Sequence, residues 1–192
     1  MLTAIIGLAA FAAAYSLYGG LSAVAWTDII QVVVLVLGGL VTTYLALDTV
    51  SGGKGFIEGL LSVYNAVPDR FDMILEKSNP EYMNLPGIGV LIGGMWIANL
   101  YYWGFNQYII QRTLAAKSLE ESQKGILFAA GLKMIIPLIV VIPGIAAYVI
   151  VNDSILLASL GEAGMANLPS PNQADKAYPW LMQFLPTGLK GV

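Results

Sequence analysis

The chain has 192 residues, of which 57% are apolar in the broad sense and 11% are charged, far below the roughly 25% of an ordinary soluble domain. Nine basic against twelve acidic residues leave a net charge of −3, so there is no basic surplus to neutralise phosphates and no nucleic-acid partner is expected. Cysteine and histidine are both absent, which removes disulfides, thiolate chemistry, His-ligated metals and Ser-His-Asp catalysis.

The charges are clustered, and the gaps between them are long. A helix needs roughly 20 apolar residues to cross the hydrocarbon core. Four transmembrane spans are therefore expected, at 2–17, 23–47, 88–115 and 123–151, in a single all-α integral membrane unit over 1–192. Barrel strands alternate in short segments, and these unbroken runs do not. The first run has no Lys or Arg before it, so a cleaved signal peptide is the weaker reading. Tyr18-Gly19-Gly20 reads as a turn before the second span. In the following polar segment, Phe56, Leu60, Val63 and Tyr64 recur at helical spacing and predict a short amphipathic helix lying at the membrane surface. Ser78-Asn79-Pro80 and Leu85-Pro86-Gly87 read as turns. Ser118-Leu119-Glu120-Glu121 is a capping box that starts the fourth helix near Leu119. Residues 152–192 read as mostly irregular, with a loop at Pro169-Ser170-Pro171-Asn172 and an interfacial aromatic anchor at Tyr178-Pro179-Trp180. The pairs Gly19-Gly20, Gly38-Gly39 and Gly93-Gly94 read as helix-packing features.

Orientation follows from the basic residues. Arg112, Lys117 and Lys124 crowd the short 112–124 segment, whereas Lys54, Arg70 and Lys77 are spread among acids. The positive-inside rule makes 112–124 a cytoplasmic loop and puts 48–87 and 152–192 outside.

Three places carry residues that a bilayer normally excludes. Asp28 opens the second long apolar run. It is either an N-cap at the inner interface or, if the helix begins earlier, a carboxylate one to two turns deep that gives a departing cation a stop. In the third span, Asn99, Tyr102, Trp103 and Asn106 fall at i, i+3, i+4 and i+7, one face of a helix. Amide groups beside flat aromatic surfaces suit a sugar, with its hydroxyl edge and C–H faces; interhelical hydrogen bonding plus an aromatic belt is the alternative. Lys133 lies eight residues past Gly125, roughly 12 Å along the fourth helix. Its ammonium either snorkels and pairs internally or faces a wet cavity and donates to a polar ligand.

The stretch Ala14-Tyr15-Ser16-Leu17-Tyr18-Gly19-Gly20-Leu21-Ser22-Ala23-Val24-Ala25-Trp26-Thr27-Asp28-Ile29-Ile30-Gln31 resembles the signature of the solute:sodium symporter family. The run from Trp96 to Arg112, with Tyr101-Tyr102-Trp103 and Asn106-Gln107, resembles its sugar branch. The resemblance implies a piece of an inverted-repeat transporter of five-plus-five core helices, these spans being the fourth to seventh. It implies sodium-coupled import of galactose or glucose across a cell inner membrane, in a multi-pass protein and by a non-enzyme. Asn99, Lys133 and Tyr102 would bind sugar, Tyr102 and Trp103 would gate its exit, and Asp28 would line the cation path. Sodium would be the coupling ion, with no other cofactor; its main ligands are expected on the first and eighth core helices, so no metal site is expected within this piece. The partners implied are sugar, sodium, lipid and the remaining helices of the same transporter. A sodium symporter for another small solute and the membrane sensor domain of a signalling protein stand as alternatives.

Overall fold

A computed structural model describes residues 2–83, 87–186 and 188. Among the described residues the regular structure is helical throughout. Helix α1 (Leu2–Ser51) leaves helical geometry only at Gly20, where φ is 57° and ψ −150°. A side chain disfavours that conformation, so glycine sets the joint between the first two expected spans. The second stretch is continuous from there to Ser51. Asp28 thus lies inside a helix, roughly 12 Å past the joint, and the N-cap reading is ruled out.

A tight loop returns the chain onto the end of α1. Asp48 Oδ1 accepts from the Gly55 amide at 3.0 Å and the Asp48 carbonyl accepts from Gly53 N at 2.8 Å. Helix α2 (Phe56–Ala66) follows. The expected short amphipathic helix forms, and its apolar side packs on the chain itself: Val63 is fully buried, Phe56 and Leu60 pack beside it, and Gly59 sits directly on the Leu47 carbonyl. Tyr64 stays outside, edge-on to Phe71 at 5.3 Å. A 3-10 turn at Pro80–Met83 follows Ser78 and Asn79; Leu85 and Pro86, read as part of a second turn, lie outside the described residues.

The third expected span is not one helix. A π-turn at Val90–Gly94 leads into α3 (Met95–Gly104), and a break at Phe105 and Asn106 precedes α4 (Gln107–Leu114). The cause is local: Asn106 takes an extended conformation and its Oδ1 accepts the Tyr108 amide at 3.0 Å, capping α4.

Helix α5 (Leu119–Lys133) starts where the capping box predicts, with Ser118 Oγ accepting from Glu121 N at 3.3 Å. Lys124 pairs with Glu120 at 2.8 Å on its first exposed turns. A joint at Met134 and Ile135 leads into α6 (Ile136–Asn152). Pro137 lacks the amide that would bond the Lys133 carbonyl, so the regular ladder stops there. The fourth span is therefore two helices meeting at Lys133.

The core lies between α1 and α6. Ala46 and Leu47 pack with Ala146, Ala147 and Ile150. A Cβ at Gly39 would come within 2.8 Å of Ile139 Cβ, so the helices touch nearly backbone to backbone. Thr43 is 1% exposed, and its hydroxyl lies 2.8 Å from the Gly39 carbonyl and 2.9 Å from that of Leu138 across the interface. A small polar group satisfied this way tolerates burial.

The tail is more ordered than the sequence implied. Helices α7 (Ser154–Ser159), α8 (Gly161–Met165) and α9 (Ala177–Met182) follow one another, with a 3-10 turn at Pro171–Lys176. Asp153 caps α7 through the Ile155 and Leu156 amides. Trp180 is not a surface anchor: it is 3% exposed, its indole N–H donates to the Gly164 carbonyl at 3.1 Å, and Phe184 stacks edge-on at 5.2 Å. The helices are only five or six residues long, and the Gly, Pro and Asn residues scattered from Gly161 to Asn172 read as loop.

Two stretches, Leu2–Ser51 and Leu119–Asn152, are each long and apolar enough to cross a membrane. Much of their apolar surface faces outward; Leu8, Phe11 and Leu17 are all at least 70% exposed.

Candidate functional site

Helices α3 and α5 bring three of the expected site residues together. Lys133, the last residue of α5, places Nζ 3.9 Å from the centroid of the Tyr102 ring and 4.8 Å from that of Trp103. The two rings stand at 85° to each other with centroids 5.4 Å apart. The ammonium thus occupies a right-angled aromatic corner. Each cation–π contact contributes about 0.5–1 kcal/mol when exposed and more when water is excluded. This arrangement answers how an amine is tolerated so deep in an apolar stretch: ring faces supply part of the lost hydration. Tyr102 and Lys133 remain exposed and Trp103 half-buried, so the corner is open to a ligand.

Asn99 stands one turn before Tyr102 and Trp103 on the same face of α3. Its Nδ2 donates to the Met95 carbonyl at 2.9 Å, leaving Oδ1 as an acceptor without a partner among the described residues. Lys133 and Asn99 make no direct hydrogen bond among the described residues; the aromatic pair links them.

Asn106 leaves this constellation. The four-residue face assumed one unbroken helix, and the break at Phe105 and Asn106 turns that amide into a backbone cap. Asn106→Ala should therefore destabilise the folded protein by about 1 kcal/mol, the usual loss of an N-cap, and Asn106→Asp should largely preserve it. Thermal unfolding in detergent checks this, and unchanged sugar recognition in the folded Ala variant separates cap from ligand.

Asp28 meets Arg112, which the sequence reading counted only toward loop charge. Asp28 Oδ2 and Arg112 Nη2 form an ion pair between α1 and α4, with side chains 27% and 30% exposed respectively. The guanidinium also stacks over the Tyr108 ring at 3.9 Å. One signal could have found it: Asp28 is a lone carboxylate in a long apolar run, and such a group requires a counter-charge.

An apolar cleft of about 650 Å³ runs between α1 and α9, lined by Ile30, Gln31, Leu35, Thr42, Tyr178 and Met182 among others. It holds none of the residues above and offers no charged group.

The corner combines three features: a fixed ammonium with three donors, an amide acceptor one turn away, and two perpendicular π faces. Together they fit a small polyhydroxylated ring, which carries acceptors and donors at its edge and C–H patches on its faces. The model of the Sodium:solute symporter family matches residues 1–192. The chain belongs to that family. It is 65% identical over its whole length to the sodium/glucose cotransporter of Vibrio parahaemolyticus, of which it covers 35%. It is 37% identical to the uncharacterized symporter YidK of Escherichia coli K12 and 35% identical to the sodium/myo-inositol cotransporter 2 of Bos taurus, covering 29% of each. The chain thus spans about a third of the length of the curated relatives it matches. Membership makes it part of a multi-pass membrane protein, and the relatives are named as transporters rather than enzymes.

Proposed function

We propose that this chain is part of a sodium-coupled secondary transporter that imports a sugar, glucose or galactose, across a bacterial inner membrane by alternating access. The observation that carries the proposal is the Lys133 ammonium held at the faces of Tyr102 and Trp103, with Asn99 one turn away. Two relatives are named for glucose and myo-inositol, both polyhydroxylated six-membered rings, which agrees with that chemistry.

In this reading Lys133 donates hydrogen bonds to ring hydroxyls and Asn99 accepts and donates beside it. Tyr102 stacks on the sugar and closes the path inward, with Trp103 next along the exit. Sodium, held mainly by helices beyond this segment, favours the outward-facing form, and Asp28 meets it on its way to the cytoplasm. The coupling between sodium and sugar is reciprocal and amounts to about 1–3 kcal/mol in typical cases.

The test is uptake of labelled glucose and galactose by the full-length protein in proteoliposomes, with and without an inward sodium gradient. Sodium-dependent accumulation, displaced by unlabelled sugars and not by amino acids or anions, is the expected result. Accumulation displaced only by another solute would reassign the substrate, and no sodium-dependent flux would favour a sensory or scaffolding role.

A further inference from the structure

Lys133 has no acidic partner among the described residues, where the ion pairs join Arg112 to Asp28 and Lys124 to Glu120 and Glu121. Its ammonium lies instead against two ring faces. That contact is also a link between elements. Helices α3 and α5 share almost no backbone packing, and the ammonium on the two rings bridges them. Each end of the link lies beside a joint. Tyr102 and Trp103 stand just before the break at Phe105 and Asn106, and Lys133 just before Met134 and Ile135. A helix that ends at such a break can swing once its side-chain tie is released.

The ring face is contested. Carbon atoms of a stacked sugar would lie about 3.5–4 Å from the ring. The ammonium already stands 3.9 Å from the Tyr102 centroid, so on that face one excludes the other. The exchange runs in one direction. Hydrogen bonds from a charged donor to hydroxyls are stronger than exposed cation–π contacts. A sugar that offers hydroxyls therefore draws the ammonium off the ring, and its C–H face takes the surface left behind.

We infer that the Lys133 contact with Tyr102 and Trp103 is a latch that holds α3 to α5 until sugar arrives, so that the inner gate cannot swing for sodium alone. The inference rests on the sugar-binding, sodium-coupled reading above. It gives the lysine a second task besides holding sugar: it suppresses sodium leak by the sugar-free carrier.

The experiment uses the full-length transporter in proteoliposomes and reads radioactive sodium influx down an inward gradient without sugar. Lys133→Met removes the ammonium and keeps the stem; Tyr102→Leu removes the ring and keeps the charge. Each should raise that influx by about three- to tenfold, the worth of one or two cation–π contacts. Both cut the same tie, so the double variant should leak no more than the leakier single one. Lys133→Arg keeps a cation that stacks on rings and should leak less than Lys133→Met; Tyr102→Phe keeps the face and should leak less than Tyr102→Leu. A simple electrostatic barrier would respond only to Lys133, and a simple steric gate only to Tyr102. Two separate barriers would multiply in the double variant. Any of these three results overturns the inference. Lys133→Gln and Trp103→Leu carry the same predictions and replace a single variant that does not insert folded. Sugar uptake by the parent separates the two levels. A parent without sodium-driven uptake removes the transport reading itself, whereas a coupled parent whose single variants leak no more than it does refutes the latch alone.

Discussion

Replacing Lys133 with alanine in the full-length transporter is expected to lower kcat/KM for sugar by about 10- to 100-fold, the worth of one or two hydrogen bonds from a charged donor. The argument is geometric. Lys133 is where α5 ends and the proline-bearing α6 begins, so its backbone position is fixed by the joint. Its Nζ stands over two perpendicular rings, and no other cation is placed there among the described residues. Lys133→Met keeps the apolar stem and removes the charge, and it should fall as far as the alanine variant. Lys133→Arg keeps a cation that stacks well on aromatic faces but presents a planar fork, so an intermediate loss is expected. Uptake and equilibrium sugar binding, measured together, check the series. Normal accumulation by Lys133→Ala would remove the amine from the site.

The second large effect is on stability and lies far from the corner. A Cβ on Gly59 would overlap the carbonyl of Leu47, a backbone atom at the centre of the α1 and α2 contact. A side chain could rotate away, but a carbonyl inside a helix cannot move without its helix. Gly59→Ala should thus destabilise the fold by about 1–3 kcal/mol, and Gly59→Val by more. Gly39→Ala is the comparison at the α1 and α6 contact: its Cβ would come within 2.8 Å of Ile139 Cβ, an atom fixed to its own helix, so a loss is expected there too. Thermal unfolding of the detergent-solubilised protein ranks the three. The folded fraction of Gly59→Ala should bind sugar with unchanged affinity, because α2 touches no residue of the corner.

How much of this was legible beforehand varies by physical cause. Lys133, Asp28 and the aromatic run stood out because a bilayer penalises each of them, and a penalty is visible in sequence without knowing the fold. The structure then brings Lys133 to Tyr102 and Trp103, which helical phase alone placed on one face. Asn106 was misjudged for a related reason. Phase arithmetic assumes an unbroken helix, whereas an asparagine can bond its own backbone and end one. The partner of Asp28 was invisible because pairing between distant segments leaves no local pattern. Trp180 looked like an interfacial anchor beside Tyr178 and Pro179, yet it is buried by α6 and its neighbours, and only tertiary packing decides that. The early half of α1, by contrast, shows its apolar side chains outward as its composition implied.

The most direct measurement is the rate at which an amine-acylating reagent modifies Lys133 in the full-length protein, read by mass spectrometry of the peptide that contains it. If the ammonium meets the sugar, glucose or galactose in the presence of sodium should slow that modification several-fold, while sodium with a non-binding solute leaves it unchanged. Equal rates with and without sugar, in protein that transports it, would contradict the placement of the binding site at this corner.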